Sequence, residues 1–324
     1  MIKQIRLQGL SFRGELDGQR IDFGGRITYL ALVPWEFCNW TCRYCHEQQR
    51  IKEAGELSTA EMRVIVREAG SLGIRAVLLL GGEVLLRATW PTVQEIVDEA
   101  HGQKLITLIY TNGSQLTESM VQWLADRDVS LAFKVDSLDQ ELCDRLTGQL
   151  GALASIMRAI ELARKTSIGS VVHETSREKL VRLLFTTVGN ALNAQEYVAL
   201  ARFATNKGAR WMMEALNHRG DAVSHRELAL DAKTHSEAMR IAMALNPEQY
   251  HAFDQPCRLF SCVTVRKKGQ IAICPQDYSF LGNICELGSL KAACDLVKTE
   301  IERRDWRKAW TGVCPIKVGH FVNV

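Results

Sequence analysis

The sequence predicts an α/β protein: a partial (β/α)6 barrel of parallel strands, followed by a smaller C-terminal domain. Three observations carry this reading. From residue 27 onward, short apolar runs alternate with longer amphipathic segments, the rhythm of strands crossed over by helices. Six such units are present, fewer than the eight that close a barrel. After about Pro247 the alternation stops and the cysteines return.

In chain order, residues 1–26 alternate polar and apolar side chains, with Gly14 and Asp17-Gly18 as turn signals, and read as a β-hairpin cap. Strands are expected over Ile27–Val33, Ala76–Leu80, Leu105–Tyr110, Ser130–Val135, Leu180–Val188 and Trp211–Ala215. Helices are expected over Thr59–Leu72, Trp90–His101, Thr117–Asp126, Leu138–Leu146 and Ala152–Lys165. Ser58 with Glu61 three residues on has the form of a capping box. The polar stretch Thr166–Glu178 reads as a surface connection. The expected domains are therefore 1–26, 27–250 and 251–324.

The chain has 324 residues, 47% hydrophobic and 24% charged, with a net charge of +3, so no strong nucleic-acid or membrane bias follows. The clearest basic run, Arg266-Lys267-Lys268 before Gly269, reads as a solvated hairpin turn. No apolar stretch reaches transmembrane length and no secretory h-region opens the sequence. Ten cysteines in that context point to reduced thiols in a cytoplasm rather than disulfides.

The chemistry concentrates in Phe37-Cys38-Asn39-Trp40-Thr41-Cys42-Arg43-Tyr44-Cys45-His46, with three cysteines in eight residues. Three thiolates hold three irons of a [4Fe–4S] cube and leave the fourth open to a small molecule. A zinc knuckle would need a fourth ligand, and His46, abutting Cys45, is awkwardly placed to supply it. The loop follows the first strand, and ligands of parallel sheets collect at the carboxyl ends of strands. There is no P-loop, no G-x-G-x-x-G, and no paired-His motif among the eight histidines.

With Tyr44 before its third cysteine, this C-x3-C-x2-C loop resembles the signature of the radical S-adenosylmethionine (radical SAM) enzymes. The second strand runs into Gly81-Gly82-Glu83, similar to that family's Gly-Gly-Glu-Pro with Val84 in place of Pro. The resemblance implies that Gly81, Gly82 and Glu83 hold the amino group of S-adenosylmethionine (SAM). It implies that Thr111-Asn112 lies near the nucleoside, that the backbone of Tyr44 meets adenine, and that Ser137 lies near the ribose. Lys134 or Asp136 would face the cavity, although their i, i+2 spacing equally reads as an ion pair. Asn190 and Asn193 are both candidates for a further SAM contact, or for completing a turn. Glu214 reads as a SAM or substrate ligand, or as one half of an ion pair.

Cys257, Gly269 and Cys274, spaced C-x11-G-x4-C, resemble the opening of the SPASM/twitch iron–sulfur domains. The implied ligand set for one auxiliary [4Fe–4S] cluster is Cys257, Cys262, Cys274 and Cys314, with Cys285 and Cys294 in reserve. The alternative to a cluster is that these are buried free thiols. Cys143 stands alone on a helix: a core residue, or a hydrogen-atom donor to a substrate radical.

The family chemistry so implied is reductive cleavage of SAM to a 5′-deoxyadenosyl radical that abstracts a hydrogen atom from a C–H bond. The leading expectation is an oxidoreductase or epimerase acting on a small polar molecule such as a sugar, aminocyclitol or nucleoside. An electron donor such as flavodoxin or ferredoxin would serve it. One alternative is a maturase that crosslinks or epimerises a ribosomally made peptide; the 26 residues before the first barrel strand leave no room for a leader-binding domain, though a separate partner could supply it. The other is a non-enzymatic iron–sulfur electron carrier or sensor.

Overall fold

The computed structural model describes residues 27–47, 55–174, 179–217, 219–230 and 261–304. The expected cap at 1–26, the boundary at 250, and Cys257 and Cys314 lie outside them. The chain forms two units. Among the described residues, one gathers 27–37, 55–109 and 261–304, and the other 38–47 and 110–230.

In the first unit β1 (Tyr29–Val33), β2 (Ala76–Leu79) and the start of β3 (Ile106–Thr111) are parallel, with Leu30 opposite Val77 and Val77 opposite Thr107. Every residue of β1 and β2 is buried, as expected of parallel strands covered on both faces. Helix α1 (Thr59–Ser71) connects β1 to β2, and α2 (Trp90–Gly102) connects β2 to β3. The capping box is present: Ser58 Oγ accepts from Glu61 N, and the Glu61 carboxylate accepts from Ser58 N at 2.7 Å. Ser58→Ala is expected to destabilise the protein by about 1 kcal/mol, read as a lower midpoint in urea with unchanged slope.

Beyond β1 the same sheet continues through β9 (Cys262–Arg266), parallel to it, and then through the antiparallel strands β10 (Gln270–Ala272) and β11 (Gly282–Asn283). The segment closes with the short helix α7 (Ile284–Leu287) and with α8 (Leu290–Arg303). The β9–β10 turn lies where expected, with Gly269 at φ +80° and its N–H on Arg266 O at 2.8 Å.

The turn is not the solvated one that the basic run suggested. Arg266 is 1% exposed and Lys267 3%. Arg266 Nη2 lies 3.2 Å from Glu36 Oε1, and Lys267 Nζ lies 3.2 Å from Glu36 Oε2 and 3.8 Å from Glu56 Oε1. Two carboxylates compensate two buried cations, which is what such burial demands.

The second unit holds the remaining parallel strands: β4 (Ser130–Lys134), β7 (Leu183–Gly189) and β8 (Arg210–Ala215). Around them lie α3 (Glu118–Ala125), α4 (Gln140–Thr147), α5 (Ala152–Arg164) and α6 (Tyr197–Asn206). The stretch expected to be a plain connection instead forms β5 (Val171–Glu174), paired antiparallel with β6 (Lys179–Val181). The expected pattern of six parallel strands with helical crossovers is thus present, three strands in each unit. No helix among the described residues is long and apolar enough to cross a membrane.

Candidate active site

The Cys38–Cys45 loop is pinned by backbone contacts within the second unit. Thr41 N and Arg43 N donate to Thr147 O (3.2 Å) and Leu146 O (2.9 Å), carbonyls at the end of α4 that have no partner inside the helix. Gly148 ends α4 in the left-handed conformation (φ +65°), and a Cβ there would stand 2.2 Å from Thr41 Oγ1. Its conformation and the approach of the loop both require glycine. On the other flank Asp221 N donates to Cys45 O at 2.9 Å, and Cys45 N closes a turn onto Cys42 O at 3.0 Å.

The loop also meets the carboxyl ends of two strands. Following β3, Asn112 Nδ2 donates to Asn39 Oδ1 at 3.0 Å and stands 3.9 Å from Cys38 Sγ, while Trp40 N lies 3.4 Å from the same sulfur. Asn39 Nδ2 returns to Ser114 Oγ at 2.9 Å. Following β4, the buried Asp136 accepts from the Tyr44 hydroxyl. The expected Lys134–Asp136 ion pair is present at 2.9 Å.

Without iron, burial and neighbouring sulfurs oppose ionisation of these thiols. Desolvation pushes Cys42 well above the usual thiol range and Cys45 up to about 11. A cationic cluster would reverse that, since a coordinated thiol is deprotonated outright. No three His, Cys, Asp or Glu side chains among the described residues gather around a single-ion point, as a lone zinc would require. Three thiols on a pinned loop, with N–H groups turned to Cys38, fit the donor set of a three-thiolate cube.

The first unit holds the Gly-Gly-Glu turn. Gly81 has φ +133°, and a Cβ there would stand 2.4 Å from Trp35 O; at Gly82 it would stand 1.9 Å from Phe37 O. Both glycines let the segment leading to Cys38 cross the end of β2, where Gly82 N bonds Trp35 O and Glu83 N bonds Phe37 O, each at 3.1 Å. Glu83 is 2% exposed, and its Oε1 accepts from Leu85 N at 2.8 Å.

Other expected site residues are engaged by the protein itself. Thr111 Oγ1 accepts from Gly113 N at 2.9 Å. Ser137 is fully buried, with Oγ donating to Glu196 Oε1 at 2.7 Å. Asn190 Oδ1 accepts from Leu192 N at 3.0 Å, and Asn193 Nδ2 donates to Asp136 O (2.9 Å) and Val188 O (3.0 Å). Both asparagines are buried and organise the turn after β7. Glu214 is half-buried on β8 opposite Val188, and its carboxylate has no ion pair among the described residues. Cys143 is fully buried on the inner face of α4 beside Leu142 and Leu146, and burial raises its thiol to about 12.

Cys262 and Cys274 are buried, Cys294 is buried and Cys285 is exposed. Cys262 opens β9, and Cys274 lies in the bend two residues past the end of β10. Sequence reasoning missed Asn39, Glu196 and the Tyr44 hydroxyl. Their partners lie 58 to 92 residues away in the chain, and no local spacing marks them.

A family model described as the Radical SAM superfamily matches residues 32–204. A GTP 3′,8-cyclase of Aeromonas hydrophila subsp. hydrophila is 33% identical over 156 residues, covering 46% of this chain and 45% of that one. An AdoMet-dependent heme synthase of Methanosarcina barkeri is 29% identical over 184 residues, covering 55% and 52%. The chain thus spans about half the length of the curated relatives it matches. Among solved structures, anSMEcpe with bound AdoMet aligns at a TM-score of 0.65 with 15% identity, over 89% of this chain and 87% of that one. Streptococcus suis SuiB bound to S-adenosylmethionine aligns at 0.60 with 16% identity, over 91% and 68%. At such identities these likenesses establish the fold alone.

Proposed function

The chain belongs to the radical SAM superfamily, and from that we propose that it abstracts a hydrogen atom from a C–H bond of a small polar substrate, leading to oxidation or epimerisation. Its cofactors are a [4Fe–4S] cluster and SAM. Bound together, they supply the 5′-deoxyadenosyl radical.

One observation carries the proposal: the thiol loop is hydrogen-bonded to the carboxyl ends of β3, through Asn112, and β4, through Tyr44 and Asp136. A cluster so placed stands where parallel strands collect ligands. An electron carrier has no need of that arrangement. Cys38, Cys42 and Cys45 would hold the cluster and Glu83 the SAM ammonium, as a charge-assisted pair. Glu214, half-buried at the same end of β8, is assigned to the substrate or to SAM. The apolar wall of Tyr44, Leu142, Leu146, Val188 and Leu216 excludes water. Among substrate classes a nucleoside or nucleotide ranks first, because relatives named GTP 3′,8-cyclase act on a nucleotide. A cytoplasmic setting, with flavodoxin or ferredoxin as electron donor, suits the reduced thiols.

We further assign Cys257, Cys262, Cys274 and Cys314 to an auxiliary cluster in a SPASM/twitch-like C-terminal domain. Cys274→Ala is expected to lower iron from about eight to about four per reconstituted chain; unchanged iron would remove the auxiliary site.

Deuterium transfer tests the function. The reduced, reconstituted protein is incubated with SAM and with deuterated nucleosides, nucleotides, sugars and aminocyclitols. Deuterium in 5′-deoxyadenosine from one of these classes is the expected result. Transfer only from a peptide would replace the small-molecule reading with a maturase. Iron-loaded protein that never cleaves SAM would return it to an electron carrier.

A further inference from the structure

Tyr44 lies between Cys42 and Cys45 and is 5% exposed. Its hydroxyl donates to Asp136 Oδ2, and Cys42 packs against the apolar cluster that contains Tyr44. Asp136 is 1% exposed, and its other oxygen, Oδ1, accepts from Lys134 Nζ at 2.9 Å and from Val188 N at 2.7 Å. Asn193 fixes the Asp136 carbonyl. Lys134 Nζ also stands 4.9 Å above the Tyr44 ring. Lys134, Asp136 and Tyr44 therefore form one continuous chain of contacts, bordered by Leu142, Leu146, Val188 and Leu216. In such apolar surroundings charge acts over longer distances than in water.

We propose that Lys134, Asp136 and the Tyr44 hydroxyl are positioning residues that set the reduction potential of the cluster at its Cys42 corner. The proposal rests on Cys42 being a cluster ligand. Reduction adds one negative charge to the cluster. The Asp136 carboxylate, hydrogen-bonded to the Tyr44 that stands between Cys42 and Cys45, opposes that charge, and the Lys134 ammonium offsets Asp136. The pair is balanced, so removing either member leaves the other acting alone. Hydrogen bonds and net charge around the sulfurs are among the factors that tune iron–sulfur potentials. Sequence alone gave Lys134 and Asp136 a cavity or ion-pair role; their connection to the cysteine loop appears only in the fold.

The test is an EPR-monitored redox titration of the anaerobically reconstituted full chain, after iron and sulfide have been measured. Lys134→Met is expected to lower the potential and Asp136→Asn to raise it, each changing the reduced-to-oxidised ratio at fixed potential at least tenfold. For one electron that is about 59 mV. Lys134→Arg, which keeps the cation, is expected to restore the wild-type value. A packing role would not give opposite signs. Shifts of the same sign, or below tenfold in both variants, would overturn the proposal. Lys134 is 23% exposed, so its Met and Arg variants test the sign even where Asp136→Asn does not fold. Failure of the underlying reading looks different: wild-type protein that takes up no cluster iron, or Cys42→Ala that keeps it all.

Discussion

Cys42→Ala is expected to lose the iron of the proposed SAM-binding cluster and to form no 5′-deoxyadenosine above background. Cys42, like Cys38 and Cys45, is half-buried, and desolvation raises its pKa well above the usual range when nothing cationic is near. A residue in that position is stable as a thiolate only against a metal. Alanine leaves two thiolates and an apolar gap, with no other cysteine of the loop to take the place. The expected loss exceeds the about 10–100-fold that follows removal of an outer-shell partner from a metal site. Iron analysis with product quantitation reads the result. A Cys42→Ala protein that still makes 5′-deoxyadenosine would falsify the assignment of the loop.

Gly82→Ala is expected to destabilise the protein by about 3 kcal/mol through overpacking and to reduce iron uptake as well. The added methyl group would lie 1.9 Å from Phe37 O and 2.8 Å from the Glu36 carbonyl carbon. Both are backbone atoms, so no rotamer change relieves the clash. Glu36 is held by Arg266 and Lys267, so the segment cannot retreat without straining a buried ion network. Its displacement would shift Cys38, one residue beyond Phe37. Thermal melting and iron per chain read the two effects. A variant that melts with the wild type and binds the same iron would show that the close approach is dispensable.

Most of the parallel scaffold was legible because each strand is a short apolar run bounded by polar turns. Observed strands such as Tyr29–Val33 and Ala76–Leu79 fall within two residues of expectation. The capping box was legible because both of its members are local. The β5–β6 hairpin was not, because Lys179, Glu174 and His173 gave the stretch the composition of a loop. The burial of Arg266 and Lys267 was not, because their partner Glu36 lies 230 residues earlier in the chain, beyond any local pattern. At the site, thiol spacing and strand-end motifs single out the candidate residues. The hydroxyl of Tyr44 could not be assigned that way: its partner is 92 residues distant, and only packing brings Asp136 to it.

The parallel pairing of β1 with β9, Tyr29 against Cys262, has a consequence for biosynthesis. A ribosome adding about 5–20 residues per second needs roughly 10–50 seconds to make the residues that separate the two strands. Throughout that interval the outer edge of β1 is an open template for pairing with another chain. Glu36 likewise waits for its cations. The entrance to the thiol loop therefore acquires its final shape only after β9 has emerged, and iron delivered earlier meets an unfinished binding loop. A chain terminated before β9 would leave that edge of β1 unpaired and Glu36 without Arg266 and Lys267.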